Sequence, residues 1–117
     1  MQDLPENVED FLDLFKAILS SQPLSCDWMP RTSLIENLAS LGLNQKEAED
    51  VLLKTLKPIH HCKGPEPDDD APGTGCISVF RCPIDPTTDA YAKIGLRVTK
   101  NKSGQLRAVI WSFKRWA

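Results

Sequence analysis

Apolar residues recur at helical spacing through the first half of the chain and at every second position through its last third. Val8, Phe11, Leu12, Phe15, Ile18 and Leu19 form one stripe over residues 7–21, with Pro23 just past its end, which predicts a helix with a core-facing side. Leu24 to Met29 alternates loosely and predicts a short edge strand. A second helix is expected from Ser33-x-x-Glu36, read as a capping box, with Leu34, Leu38 and Leu41 inward and Gly42 at the left-handed cap. Asn44-x-x-Glu47 opens a third, whose apolar face is Ala48, Val51, Leu52 and Leu56 and which Pro58 ends.

Beyond Pro58 the period becomes two. Residues 63–75 hold three prolines and three glycines and are expected to be a loop. Strands are expected at Cys76–Cys82, Ala90–Thr99 and Leu106–Lys114, the last two joined by a turn through Asn101, Lys102, Ser103 and Gly104. Closing that turn between Lys100 and Gln105 sets Tyr91 opposite Lys114 and Lys93 opposite Ser112 on one face. The other face then pairs Ala92 with Phe113, Ile94 with Trp111 and Leu96 with Val109, all expected to be buried. Gly95, on the polar face, leaves room for a group to approach the backbone. The fold class expected is α+β, three N-terminal helices followed by a mainly antiparallel sheet, in a single domain spanning 1–117.

Composition changes this picture little. With 117 residues, 41% of them hydrophobic, and a net charge of -2, the chain is neither disordered nor a membrane span. Its first residues, Met-Gln-Asp-Leu-Pro-Glu, are acidic where a signal peptide is basic, so a cytoplasmic location with no membrane partner is expected. Charge is unevenly placed: residues 1–75 carry 14 acids and 6 bases, residues 76–117 only 2 acids and 8 bases. A basic final segment suits an anionic partner, or it is neutralised by the acidic helices of the same domain.

Metal and nucleotide chemistry find little support. Cys26, Cys62, Cys76 and Cys82 show no Cys-x-x-Cys spacing, and alternate residues of a strand point opposite ways, so His60, His61 and Cys62 do not converge on zinc. The Asp68-Asp69-Asp70 run is expected to face solvent rather than hold magnesium. Gly73-Thr74-Gly75 is followed by Ser78 where a dinucleotide fingerprint needs its third glycine, and by a strand pattern where it needs a helix. No cofactor is expected.

What remains is metal-independent RNA cleavage, which asks for a base, an acid and cations around phosphorus. Tyr91, Lys93, Lys114, Lys63 and His61 supply such groups. The segments His61-Cys62-Lys63-Gly64-Pro65-Glu66-Pro67-Asp68, Val79-Phe80, Tyr91-Ala92-Lys93-Ile94 and Ile110-Trp111-Ser112-Phe113-Lys114, with Leu41-Gly42-Leu43 upstream, together resemble the MqsR family of toxins from type II toxin-antitoxin systems. The resemblance implies a RelE-like microbial RNase fold, cleavage of messenger RNA without a metal, and a cognate antitoxin as partner. It carries catalytic roles to Lys63, Tyr91 and Lys114. Arg81, Lys93 and Arg97 are expected to contact the RNA, with His61 a further candidate. A glutamine used by characterised members falls at Ile77, a departure that bears on activity or sequence preference.

Two other classes compete. Three helices and a hairpin also suit a winged-helix DNA binder, although Glu47, Glu49 and Asp50 on the third helix would repel phosphates. A non-catalytic interaction protein, its acidic helices binding a basic partner, is the other.

Overall fold

A computed structural model describes residues 4–21, 26–28, 31–69, 73–98 and 106–116. Helix α1 covers Val8–Ser21, strand β1 Cys26–Trp28, α2 Arg31–Ser40 and α3 Gln45–Thr55. A single 3-10 turn, Pro58–His60, leads into β2 His61–Pro67, β3 Gly75–Asp85, β4 Thr88–Val98 and β5 Leu106–Arg115. The architecture is therefore α+β; the short edge strand expected within Leu24–Met29 is β1, and because it joins the sheet from between the first two helices, the helices do not all precede the sheet. The five strands form one mixed sheet in the order β1-β5-β4-β3-β2, in which β1 runs parallel to β5 and every other pair is antiparallel.

Local chemistry sets the helix ends. Asn44 Oδ1 accepts from Glu47 N at 2.8 Å while Glu47 Oε1 accepts from Asn44 N at 3.0 Å, the reciprocal capping box that the spacing predicts. At the end of α2, Gly42 takes φ 73°, and Leu43 N and Gly42 N donate to the carbonyls of Leu38 and Ala39, a Schellman ending. Asn7 caps α1 through Asp10 N at 2.8 Å, a cap not expected from the stripe alone. Helix α2 starts at Arg31, so Ser33 lies inside it and not at its cap. The side chains of residues 31–35 lie outside the described residues.

One face of the sheet is covered. Phe11 and Phe15 of α1 stack at 6.1 Å, Phe11 meets Phe80 of β3 at 6.2 Å, and Leu38, Ala48, Leu52 and Leu56 complete the core against Ala92, Ile94, Ile110 and Phe113. On the opposite face, no helix covers Ile77, Val79, Tyr91 and Lys93 among the described residues, and all four are half-buried.

Two expectations about the strands need correction. Lys63–Pro67, assigned to a loop, belong to β2, an edge strand that pairs with β3 through two register shifts. Edge position explains how the prolines are tolerated, and Gly64 absorbs one irregularity at φ 93°, where a Cβ would run into the Ile77 carbonyl and come within 2.9 Å of Ser78 Cα. The second correction concerns β4 and β5. Their pairing agrees with the expected register from Ala90 to Lys93 and then slips by one, Lys93 facing Ser112 but Ile94 facing Ile110. Trp111 is the extra residue of this β-bulge. Trp111 therefore stays half-exposed; Val109, paired with Gly95, is buried as expected but on the opposite side of the strand, and Ala108 and Ile110 take the places in the helix-covered core expected for Val109 and Trp111. The expected turn through 101–104 lies outside the described residues.

Candidate functional site

Three cross-strand rows run over the open face. The first aligns Arg81, Tyr91 and Lys114; the second Lys63, Val79, Lys93 and Ser112; the third Glu66, Ile77, Gly95 and Val109. Strand pleating turns all three rows to the same side. The pairing of Tyr91 with Lys114 agrees with the hairpin register read from the sequence, and Lys114 Nζ lies 5.4 Å from the centre of the Tyr91 ring.

Two hollows share Tyr91 and Lys93. One, of about 330 Å³, is lined by Lys63, Glu66, Asp69, Ile77 and Val79, with Trp111 as its aromatic wall. The other, of about 530 Å³, is lined by Ser112, Lys114, Arg115 and Trp116 beside the shared pair. Carboxylates border the first hollow, through Glu66, Asp68 and Asp69, and among the described residues none borders the second.

The cations differ in what they already hold. Arg81 Nε is 2.7 Å from Asp89 Oδ2 and its guanidinium lies 4.9 Å from the centre of the Trp116 ring, which itself stands 6.0 Å from Tyr91. Arg97 Nη2 is 2.8 Å from Asp68 Oδ2, with its guanidinium 5.1 Å from the centre of Trp111. Arg107 grips Asp27 of β1 through two hydrogen bonds of 2.9 and 3.0 Å. Lys63 Nζ is 3.4 Å from Glu66 Oε1, in an exposed pair. Among the described residues, Lys93 and Lys114 have no carboxylate partner, so their charge is the most available on this face.

Asp68 departs from expectation. It is buried, with its side chain only 4% exposed, and Gly75 makes that possible, because a Cβ there would stand 3.1 Å from Asp68 Cβ. Asp69 is exposed, and Asp70 lies outside the described residues.

His61 is not brought to Tyr91 and Lys114. Its register partner is Phe80, a core residue, and its ring meets Phe80 edge-on at 5.6 Å while Nε2 donates to the Gly64 carbonyl at 2.6 Å. His60 Nδ1 accepts from Lys57 N, and desolvation followed by the nearby Lys57 charge holds its pKa below the usual imidazole value. Cys62 is exposed, whereas Cys76 and Cys82 are buried, and burial pushes their thiols up to about 11 and about 12. These neighbouring donors in sequence thus face separate surroundings.

Trp111, Trp116 and Glu66 line the site although none was expected there, Trp111 having been assigned to the core. For Trp111 a signal existed. Leu106, Ala108 and Ile110 alternate inward, yet the next inward residue is Phe113, three positions on, and an extra residue reconciles the two. No known protein family, curated protein or solved structure matches the chain.

Proposed function

We propose that the open face of this sheet binds single-stranded RNA and cuts it, as a metal-independent endoribonuclease. Within that class the reading is more particular: the chain is an MqsR-family toxin of a type II toxin-antitoxin system, with a RelE-like fold, that cleaves messenger RNA and is restrained by a cognate antitoxin. The observation that carries it is the juxtaposition of Tyr91 and Lys114, with Lys93 in the next row, on a face that no described helix covers. The resemblance assigned Tyr91 and Lys114 to catalysis, and the strand register puts them side by side.

The chemistry expected is internal transfer. The 2′-oxygen loses its proton and attacks phosphorus, the bond from phosphorus to the 5′-oxygen breaks, and that oxygen takes up a proton, leaving a 2′,3′-cyclic phosphate and a 5′-hydroxyl. Lys114 and Lys93 hold the charge that grows on the phosphoryl oxygens, and the Tyr91 phenol donates a hydrogen bond or proton to the same group. Lys63 stands at the rim, already in contact with Glu66. His61 has no place in this scheme, and Arg81 and Arg97 hold other side chains. Ile77, where the family carries glutamine, makes part of one hollow apolar.

Helix α3 offers little to duplex DNA. Glu47 and Asp50 are exposed on it beside Lys46 and Lys54, and Glu49 accepts a hydrogen bond from Trp28 Nε1 at 2.9 Å, so its outer surface is mixed in charge and not the basic surface that phosphates ask for. Cleavage of a single-stranded RNA in EDTA tests the proposal, read with growth of cells expressing the chain alone. Wild type should cut and should arrest growth; Tyr91→Phe and Lys114→Ala, shown to be folded by thermal melting, should cut about 10²-fold more slowly. Wild-type rates in both variants would sink the assignment, and loss of wild-type cleavage in EDTA would sink the metal-free mechanism.

A further inference from the structure

Trp111 is held on the open face by a chain of contacts that reaches back to the acidic segment after β2. The bulge between Lys93/Ser112 and Ile94/Ile110 turns it out of the core. Gly95 then leaves the indole its place, since a Cβ at that position would stand 3.2 Å from Trp111 Nε1 and 2.8 Å from the Cys76 carbonyl oxygen. The Arg97 guanidinium packs on the ring at 5.1 Å and is fixed in turn by Asp68 at 2.8 Å. Asp68 is anchored by its own backbone, its N–H donating to the Gly75 carbonyl at 3.0 Å. Trp111 Nε1 is buried without a hydrogen-bond partner among the described residues. An aromatic ring turned away from an apolar core, at the cost of an unpaired buried donor, calls for a role on the side it faces.

We infer that Trp111 is the surface on which a nucleobase of a single-stranded nucleic acid stacks, and that Asp68 and Arg97 are positioning residues for its indole. The inference rests on the proposed RNA site and divides it into two parts. The hollow walled by Trp111 carries Glu66, Asp68 and Asp69 against Lys63 and Lys93, so it does not favour a phosphate, whereas an uncharged base with a flat apolar face suits it. The hollow with Lys93, Lys114 and Arg115 and no carboxylate suits the phosphate. Tyr91 and Lys93 line both, and so mark where base and backbone part.

The test uses two fluorescent probes: a single-stranded 2′-deoxy oligonucleotide, which lacks the attacking hydroxyl, and the same backbone with abasic positions. Wild type should bind the base-bearing probe roughly 5- to 150-fold more tightly than the abasic one, the range for stacking on an aromatic side chain. Trp111→Leu should lower that ratio at least fivefold while leaving abasic binding and its salt dependence unchanged, and Trp111→Phe should keep most of the ratio. Asp68→Asn and Arg97→Ala should lower it in part, and neither should lower it further once Trp111 is leucine. A wild-type ratio in folded Trp111→Leu overturns the inference, as does a wild-type protein that binds both probes equally or neither. Should Trp111→Leu fail to fold, the Arg97→Ala ratio against wild type decides: unchanged, it overturns the positioning chain. Cleavage of RNA in EDTA is scored separately. Preference for bases without cleavage removes the nuclease reading and leaves the stacking site, while cleavage without preference does the reverse.

Discussion

The two faces of this sheet are written by the same strands and obey different rules. On the covered face Phe80, Cys82, Ala92, Ile94, Ile110 and Phe113 are fully buried, and their identities follow from alternation and packing volume. On the open face the residues alternate just as regularly, but what distinguishes them is which charge is already held. Three arginines are tied to Asp27, Asp68 and Asp89, while Lys93 and Lys114 have no carboxylate partner among the described residues. The comparison teaches that position on the open face does not by itself make a cation available to a ligand. Arg97 shares a strand with Lys93, four residues away, and faces the same side, yet its guanidinium is held between a buried carboxylate and an indole.

The largest effect that would break this contrast is a loss of stability from the open face equal to one from the covered face. Phe80→Ala removes a ring in contact with Phe11 and His61 and should destabilise the fold by about 3–5 kcal/mol in denaturant unfolding. Lys114→Ala, on an exposed side chain, should change the same measurement by less than about 0.5 kcal/mol. Equal losses would mean that the open face is part of the structural core.

Asp68→Asn comes next and sharpens the boundary between the faces. The substitution leaves Arg97 partly buried with its charge unanswered, a loss of about 1–3 kcal/mol. Asp69→Asn, on an exposed neighbour, should leave the melting temperature within error. If both variants melt alike, the ion pair does not fasten the segment to the sheet.

The covered face should also respond to alkali. Burial raises the Cys76 and Cys82 thiols from an ordinary value of 9.0 to about 11 and about 12. Between pH 9 and those values the unfolded chain loses thiol protons that the folded chain keeps, so stability is whole below pH 9 and falls as pH rises through the window. Melting temperature measured from pH 8 to 11 should decline, and less steeply in the Cys76→Ala/Cys82→Ala double variant than in wild type. Parallel slopes would show that other groups carry the decline.

How far these features are legible in the sequence follows from the range of the forces involved. The stripe on α1, the Asn44 box, Gly42 and the pairing of Tyr91 with Lys114 depend on neighbours a few residues away or on strict alternation, and they can be read directly. Strand β2 could not be read in the same way, because its prolines signal a break and only an edge place beside β3, with Gly64 at a positive φ, makes them acceptable. The bulge at Trp111 left a trace in the spacing from Ile110 to Phe113, but a continuous register explains all but that one step. Partners distant in sequence left no trace. Asp68 and Arg97 are 29 residues apart, and nothing local distinguishes Asp68 from Asp69.

The smallest predicted effect tests the contrast most directly, because it compares two cations on neighbouring strands of the same face. A side chain whose charge is free contributes a counterion-release term when it meets a phosphate, and one already paired contributes little. Lys93→Ala should therefore weaken binding of single-stranded RNA a few-fold and lower the slope of log affinity against log salt by roughly 0.7 for the single contact removed. Arg81→Ala, which removes a guanidinium held by Asp89 and Trp116, should leave that slope within error of wild type, since a guanidinium already paired makes no phosphate contact whose counterion release would be lost. Measuring both slopes over one salt range separates availability from mere position. Equal slopes for the two variants would show that pairing on the open face does not govern which cations reach the nucleic acid.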